Sequence, residues 1–310
     1  MTAGTRTQLI RTATRPTDVR GIGGALRSLW RDCCPEDAGG DVARSMTTNF
    51  VLVAGADAEA EARAALERVF PRTPCRAFLI LVDGAAAAVA TEVTAVTRCH
   101  GDTRDIVLEE VVVRLPAAKL TRLPGIVRPL LVNDLPGHLY WRHDWPQDQA
   151  LANASLDLCD HLIVDSQRGS PGLERLEQVR QQGVRVTDLT WLRLRPWRRA
   201  LAEAFERITW HPGQPTRAII RHASSGAASV VLLARWLEQR LAARIDLDES
   251  GSADPDHLVL TTGDVEVCVE LEQGQLAVYV TTDAHCDLPF RLPASRGCEG
   301  DLLAAAVDVG

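Results

Sequence analysis

The stretch "TTNFVLVAGADAEAEARAALERVFPRTPCRAFLILVD", residues 47–83, decides the fold. It begins and ends with continuous apolar runs, 47–55 and 75–83, which have the length of buried strands. Between them, residues 59–70 repeat apolar side chains at helical spacing. A strand, a helix and a second strand of this kind predict a βαβ unit, whose parallel strands are buried on both faces.

The segments that follow extend this unit. Residues 91–98 and 105–115 are predicted to be strands, and the second alternates partly, which would suit a sheet edge. Further on, strands and helices alternate again, at 137–142, 151–160, 161–166 and 172–183. The predicted fold class is therefore α/β, with an open, mainly parallel sheet that has helices on both faces, followed by a smaller α+β domain.

Three regions are predicted along the chain: an N-terminal helical segment over 1–45, an α/β domain over 46–210, and a small α+β domain over 216–310. The α/β domain would end in a Trp- and Arg-rich helix, and "HPGQP" (211–215) would form the boundary. Beyond this boundary the strand patterns are typical of antiparallel pairing.

Composition limits the classes of partner. The 310 residues are 46% hydrophobic and 24% charged, which is enough for more than one core. The net charge of −7 disfavours nucleic acid and anionic membranes as partners. The sequence has neither an apolar stretch of about 20 residues nor a signal-peptide core, so we expect a cytoplasmic protein. All cationic residues except Lys119 are arginines, which indicates either anion recognition or a GC-rich genome.

The eight cysteines are expected to be mostly reduced thiols in that compartment. Cys33 and Cys34 are adjacent and cannot easily pair with each other, but they are candidates for a redox role. Cys99 and His100 form one ligand pair without a second pair at zinc spacing. We therefore expect no metal site and no cofactor.

No strong catalytic motif is present, and only weaker constellations remain. Asp165 and Ser166 follow a predicted parallel strand, where α/β proteins bind ligands, although Ser166 could simply cap a helix. Ser224 and Ser225 lie in a polar turn that could hold an anion or be an ordinary capped turn. These four residues would serve an alternative function, that of a sugar-phosphate sensor or enzyme.

His138 and His143 could act in acid–base chemistry, but no partner group is evident in the sequence. We therefore interpret each of them as a lone surface histidine.

Tryptophan and arginine concentrate between residues 141 and 210. This enrichment is typical of core packing, or of a protein–protein contact. In a strand, Tyr140 and Trp141 face opposite sides, so at most one serves the core while the other serves a partner or a neighbouring helix. The candidates for partner contact are Tyr140, Trp141, Trp145, Trp191, Arg193, Arg195, Trp197 and Arg198.

Several segments, in their order, carry a family resemblance. They are "ALRSLW" (25–30), "RSMTTNFVLV" (44–53), "TPCRAFLILV" (73–82), "EEVVVRL" (109–115), "LPGIVRPLLVNDLPGHLYW" (123–141), "DHLIVDS" (160–166) and "DLTWLRLRPWRRALAEAF" (188–205). Over about residues 20–210 the chain resembles the glucose-6-phosphate dehydrogenase assembly protein family, OpcA. It departs from the family pattern where Tyr140–Trp141 replaces a Trp-Trp pair, where Gly137–His138 replaces apolar residues, and where "RHDW" (142–145) is inserted.

The resemblance implies a protein that is not an enzyme. It would bind glucose-6-phosphate dehydrogenase and promote the active oligomer of that enzyme as an allosteric activator. In cyanobacterial members this role is tied to thioredoxin, which makes thioredoxin a second implied partner.

Overall fold

A computed structural model of the chain describes residues 8–33, 42–44, 46–100, 103–168, 171–211, 213–222, 227–249, 255–282, 289–295 and 297–308. The chain divides into two compact units. The first contains Met1–Thr187 together with Glu299–Gly310, and the second contains Asp188–Cys298. Within the described residues, no helix combines the length and the apolar composition needed to cross a lipid bilayer.

The elements are numbered in chain order. The strands are β1 (Gln8–Arg11), β2 (Arg15–Thr17), β3 (Val42–Arg44), β4 (Thr48–Gly55), β5 (Cys75–Asp83), β6 (Ala90–His100), β7 (Thr103–Pro116), β8 (Gly137–Arg142), β9 (His161–Val164), β10 (Arg185–Asp188), β11 (Thr216–Arg221), β12 (Arg244–Asp248), β13 (His257–Thr262), β14 (Val265–Glu272), β15 (Gln275–Thr282) and β16 (Phe290–Pro293). The helices are α1 (Ile22–Cys33), α2 (Glu59–Val69), α3 (Leu123–Val127), α4 (Gln149–Leu156), α5 (Leu173–Gln181), α6 (Leu189–Arg193), α7 (Arg195–Phe205), α8 (Ala227–Leu241) and α9 (Glu299–Asp308).

The first unit is built around the predicted βαβ unit. Its sheet has the order β1-β6-β7-β5-β4-β8-β9-β10, with β2 also paired to β6 and β3 to β7. Strand β4 lies between β5 and β8 and is parallel to both. Phe50 and Leu52 point to one face, Val51 and Val53 to the other, and all four are fully buried. The prediction of an α/β fold with an open, mainly parallel sheet followed by a smaller α+β domain is confirmed.

Strand β7 corrects one detail of the sequence analysis, because it does not lie at an edge. It is paired between the parallel strand β5 and the antiparallel strand β6. Two of its acidic residues, Glu109 and Glu110, are buried. Arg76 on β5 donates to Glu109 at 2.7 Å, and Arg63 on α2 donates to Glu110 at 3.1 Å. Paired charges of this kind can lie inside a sheet when arginines satisfy them.

The N-terminal region contains more than the predicted helix. Besides α1, it contributes β1 and β2, which pair with β6, and β3, which pairs with β7. These strands have four residues or fewer, too short for their alternation to be recognised in the sequence.

Helices cover both faces of the first sheet. Helix α2 buries its apolar stripe, which includes Leu66 and Val69, and packs against β4, β5 and α9. A Cβ on Gly300 of α9 would lie 2.7 Å from Cγ of Arg68, so this glycine permits the close approach of α9 to α2. On the opposite face, α1, α3, α4 and α5 pack over residues such as Val51 and Trp141.

The second unit has a six-stranded sheet of order β12-β11-β13-β14-β15-β16. Its pairs are antiparallel except β11 and β12, which are parallel. This parallel pair differs from the antiparallel strands that we predicted, and it arises because α8 connects the two strands as a βαβ crossover. The predicted hairpin between β14 and β15 turns through Gln273 and Gly274, whose φ angles are 46° and 79°.

Helices α7 and α8 cover one face of the second sheet with residues such as Trp197, Leu201 and Leu233. As a result, the observed units do not follow the predicted boundary at 211–215. The Trp- and Arg-rich helix α7 belongs to the second unit because its apolar stripe packs on β14 and β15. Helix α9, predicted within the 216–310 domain, belongs to the first unit because it packs on α2.

Candidate functional site

A pocket lies in the first unit at the carboxyl ends of the parallel strands β4, β8 and β9. Strand β4 leads through α2 to β5 on one side, whereas β8 lies on its other side. This reversal of strand order is the topological switch point at which open α/β sheets bind ligands. The pocket has a volume of about 460 Å³ and is lined by Gly55, Asp57, Ala58, Glu61, Trp141, Arg142, His143, Asp144, Asp165 and Arg168.

A carboxylate from the end of the chain closes a polar network beside this pocket. Glu299 at the start of α9 accepts hydrogen bonds from the Tyr140 hydroxyl at 2.5 Å and from Nε of Arg142 at 2.7 Å. Its second oxygen accepts from Nη2 of Arg168 at 2.9 Å. Arg142 also pairs with Glu61. Burial, and then the neighbouring Glu299, raise the pKa of Tyr140, so the phenol stays protonated. Both pocket arginines are thus already paired.

The charges around the pocket do not suit a phosphate group. Four carboxylates line it, and its two arginines pair with Glu299. The loop between β4 and α2 reads "GADA" (55–58) and has no second glycine to bring the backbone close to a pyrophosphate. Glu59 and Glu61 in the first turn of α2 add negative charge where a phosphate would need backbone N–H groups alone. The arrangement resists anionic ligands.

Of the residues predicted from sequence to bind a ligand, the structure describes Asp165 and Ser166. Asp165 lines the pocket, is 2% exposed, and lies 3.5 Å from Nε of Arg168. Ser166 begins a short 3₁₀ turn that ends at Arg168. Ser224 and Ser225 lie outside the described residues, as do Cys34 and the side chains of Cys33, Cys99 and His100.

Four of the predicted partner-contact residues are buried. The relative exposures of Tyr140, Trp141, Trp145 and Trp197 are 0%, 1%, 8% and 4%. Tyr140 and Trp141 do face opposite sides of β8, but α9 covers the first, and the core of the other face covers the second. The indole N–H of Trp141 donates to the carbonyl of Asp144 at 3.0 Å. Side chains with this burial stabilise the fold and offer no contact area to a partner.

The other four predicted partner residues lie in or beside α6 and α7 of the second unit. Trp191 and Arg193 are half-buried, and Arg195 is exposed. The Arg198 guanidinium lies 3.6 Å from the centroid of the Trp191 ring and donates to the Trp191 carbonyl at 3.1 Å. Burial, and then the charge of Arg195, lower the pKa of Arg198 to about 10. We call Trp191, Arg193, Arg195 and Arg198 the Trp–Arg patch.

A buried histidine pair was missed in the sequence analysis. His138, which we interpreted as a surface residue, is 5% exposed and its Nδ1 lies 3.0 Å from Nδ1 of His161. Nε2 of His161 hydrogen-bonds with the Thr187 hydroxyl at 2.8 Å. Burial, and then the charge of Arg185, lower the pKa of His138 to about 4 and of His161 to about 3. Only the pairing of β8 with β9 brings the two together, so no local pattern could reveal them.

Two family models together match most of the chain. The OpcA model described as the glucose-6-phosphate dehydrogenase subunit N-terminal domain matches residues 67–181, and the corresponding C-terminal domain model matches residues 184–308. The chain belongs to the OpcA family. The resemblance stated from the sequence is thereby confirmed, and it extends into the second unit, where the sequence offered only an outline.

Curated relatives within the OpcA family agree. A cyanobacterial protein from Nostoc punctiforme that carries the name OxPP cycle protein OpcA is 28% identical over 178 residues, or 55% of this chain and 38% of that protein. The protein of the same name from Synechocystis is 26% identical over 151 residues, covering 47% and 32% of the two chains. The chain thus spans about a third of the length of these relatives, 38% and 32% respectively.

Solved structures with similar folds are oxidoreductases, but the similarity is low. An oxidoreductase domain protein from Kribbella flavida has a TM-score of 0.49 and 11% identity, with 85% of this chain and 91% of that chain covered. A levoglucosan dehydrogenase in complex with NADH and L-sorbose has a TM-score of 0.48 and 10% identity, with 84% and 88% covered. Similarity at this level assigns neither a ligand nor a reaction to the OpcA chain.

Proposed function

We propose that this OpcA-family chain is a non-enzymatic assembly factor that acts in the cytoplasm, binds glucose-6-phosphate dehydrogenase and promotes the active oligomer of that enzyme. The observation that carries the proposal is the match of both glucose-6-phosphate dehydrogenase subunit domain models, over 67–181 and 184–308. The switch-point pocket supports a role without catalysis, because its arginines and the Tyr140 phenol are held by Glu299.

The Trp–Arg patch is the proposed contact surface. Tryptophan and arginine are the residue types that dominate binding energy at protein interfaces. Trp191 and Arg198 hold each other in a defined cation–π geometry, so little conformational freedom remains to be lost on binding. A partner that prefers this surface in the active oligomer would shift the enzyme by its differential affinity alone, typically about 1–3 kcal/mol.

The test uses the dehydrogenase of the same organism. Its KM, kcat and oligomer size are measured with and without the full chain, and binding is measured by titration. We expect a larger oligomer or a lower KM, and Trp191→Ala should weaken binding by about 2 kcal/mol, or roughly 30-fold. Arg199→Ala is the matched control, because Arg199 adjoins Arg198 but is exposed and pairs with Glu203 at 2.7 Å.

Unchanged kinetics and oligomer size in the presence of the chain would refute the proposal. If Arg199→Ala weakens binding as much as Trp191→Ala, the Trp–Arg patch is not the contact surface, although the assembly role could stand. Thermal unfolding of each variant verifies that it is folded. Adding thioredoxin to the same assay examines the second implied partner, whose proposed targets, Cys33 and Cys34, lie outside the described side chains.

The alternative function, a sugar-phosphate sensor or enzyme, has one observation in its favour, the pocket at the switch point that includes Asp165. The charges of that pocket oppose a phosphate, so we rank this alternative second. A thermal-shift panel of sugar phosphates on the isolated protein separates the two. A shift that rises with ligand concentration would favour a ligand site.

A further inference from the structure

Three side chains with metal-binding atoms converge on the second sheet. His257 lies on β13, and Cys268 and Glu270 lie on β14. The register pairs His257 with Glu270, and Cys268 is two residues away on the same strand, so all three project from one face. Their neighbours Leu258 and Val269 are fully buried in the core on the opposite face.

Two of the distances between the donor atoms match those of a tetrahedral site. Nε2 of His257 lies 3.4 Å from Sγ of Cys268 and 3.2 Å from Oε1 of Glu270. All three ligand atoms lie within 4.8 Å of one another. With zinc bonds of about 2.3 Å to sulfur and about 2.0 Å to nitrogen and oxygen, tetrahedral angles place the corresponding pairs about 3.5 Å and about 3.3 Å apart. Small side-chain adjustments would bring all three atoms to one metal ion.

The donor set selects a class of metal. One nitrogen, one sulfur and one oxygen suit Zn²⁺ and exclude Mg²⁺ and Ca²⁺, which prefer oxygen ligands alone. The side chains of His257 and Glu270 are 20% and 37% exposed, so water can reach the group. Three protein ligands with access to solvent leave the fourth corner for a water molecule.

The surrounding charges favour a cation overall. Arg221 faces the group, but Asp256 holds its Nε at 2.9 Å. Glu266 lies on the same face of β14 as Cys268 and Glu270 and adds a further negative charge. Burial, and then Glu270, raise the pKa of Cys268 to about 11, so the thiol is protonated without a metal. A metal that binds the sulfur must displace this proton.

We propose that His257, Cys268 and Glu270 form a Zn²⁺ site with three protein ligands and an open fourth position. Without a metal, Nε2 of His257 lies within hydrogen-bonding distance of the Cys268 sulfur, at 3.4 Å, and 3.2 Å from Oε1 of Glu270, so the same three atoms that would bind the ion are already gathered. The site lies wholly within the second unit and does not depend on the proposed binding of the dehydrogenase.

The test replaces zinc with Co²⁺, whose spectrum reports its ligands. The full-length protein, stripped of metal with a chelator, is titrated with Co²⁺ and then with Zn²⁺. We expect one equivalent of Co²⁺ to give a thiolate-to-cobalt charge-transfer band and the visible bands of tetrahedral cobalt, and Zn²⁺ to displace it. Cys268→Ser should abolish the charge-transfer band, and His257→Gln and Glu270→Gln should each weaken binding by about tenfold or more.

Cys298→Ser is the matched control, because Cys298 is an exposed cysteine of the same unit. This variant should keep the wild-type spectrum and affinity. The proposal is overturned if no charge-transfer band appears, if the band survives Cys268→Ser, or if Cys298→Ser removes it.

Discussion

The two sheets of the molecule differ in how far their polar side chains are exposed to solvent. The first sheet has helices on both faces, and its charged groups are closed into networks, such as that of Glu299 with Arg142 and Arg168. The second sheet is covered on one face by α7 and α8, and its other face carries His257 and the half-exposed Cys268. The polar groups buried in the first unit stabilise the fold, whereas His257 and Cys268 on the open face of the second sheet remain accessible to solvent.

The largest loss of stability is expected when the polar network around Glu299 in the first unit is broken. Glu299→Ala would leave Arg142, whose side chain is 3% exposed, and the Tyr140 hydroxyl without their shared acceptor. Breaking a buried pair in this way costs about 3–5 kcal/mol, measurable as the free energy of unfolding in urea. Asp301→Ala on the same helix is the control, because Asp301 and Arg68 are exposed and 3.9 Å apart, and it should cost under about 1 kcal/mol. If Glu299→Ala and Asp301→Ala lose equal stability, the buried Glu299 network stabilises the first unit no more than an exposed ion pair does.

The next prediction compares the two faces of the second sheet by substituting two adjacent residues of β13. Leu260 on β13 is fully buried beneath the helices, whereas Thr261 beside it is exposed. Leu260→Ala should cost about 2–5 kcal/mol because it opens a cavity, and Thr261→Ala should change stability by less than about 0.5 kcal/mol. Urea titrations of the two variants provide the measurement. A large loss for Thr261→Ala would indicate that this face is also packed.

A third effect concerns pH, and it is small near neutral pH and grows as the pH falls. The pKa values of His138 and His161 are lowered from 6.5 to about 4 and about 3, so between these values the unfolded chain binds protons that the folded chain does not. Stability should therefore fall as the pH drops below 6.5, by up to about 1.4 kcal/mol per pH unit for each histidine. The double variant His138→Gln/His161→Gln should show a flatter dependence in urea titrations at pH 7 to 4.5.

A matched variant sharpens the pH test. His143→Gln keeps both buried histidines and changes a histidine of the pocket wall, so its pH dependence should equal that of the wild type. If the double variant loses stability with falling pH as steeply as the wild type does, the histidine pair is not the cause.

Much of the fold could be predicted from sequence, because it rests on local patterns. The run at 75–83 became β5 with the predicted bounds, and the helix expected at 59–70 is α2 over Glu59–Val69. The patterns failed where distant partners decide the outcome. The partial alternation of β7 suited an edge strand, but arginines from other elements pair with its buried Glu109 and Glu110, so it can lie inside the sheet. Helix α9 joins the first unit through its packing on α2, which is distant in sequence.

The site was predictable in position but not in composition. Asp165 was expected at a strand end and does line the switch-point pocket. Arg142 and Glu299 are 157 positions apart, so no spacing in the sequence could reveal their pairing. Likewise, the sequence alone places Cys268 and Glu270 on one face of a strand, because they are two residues apart. His257 joins them only through the register of β13 with β14.

Helix α9 also sets the order in which the chain can fold during synthesis. The first unit lacks this helix until the ribosome has added residues 188–298, which takes roughly 5–20 seconds at typical rates of synthesis. During that interval Tyr140 and Arg142 have no Glu299 to bind, whereas the second unit, continuous in sequence, can complete its own sheet. The unit that emerges first is therefore the one that finishes last.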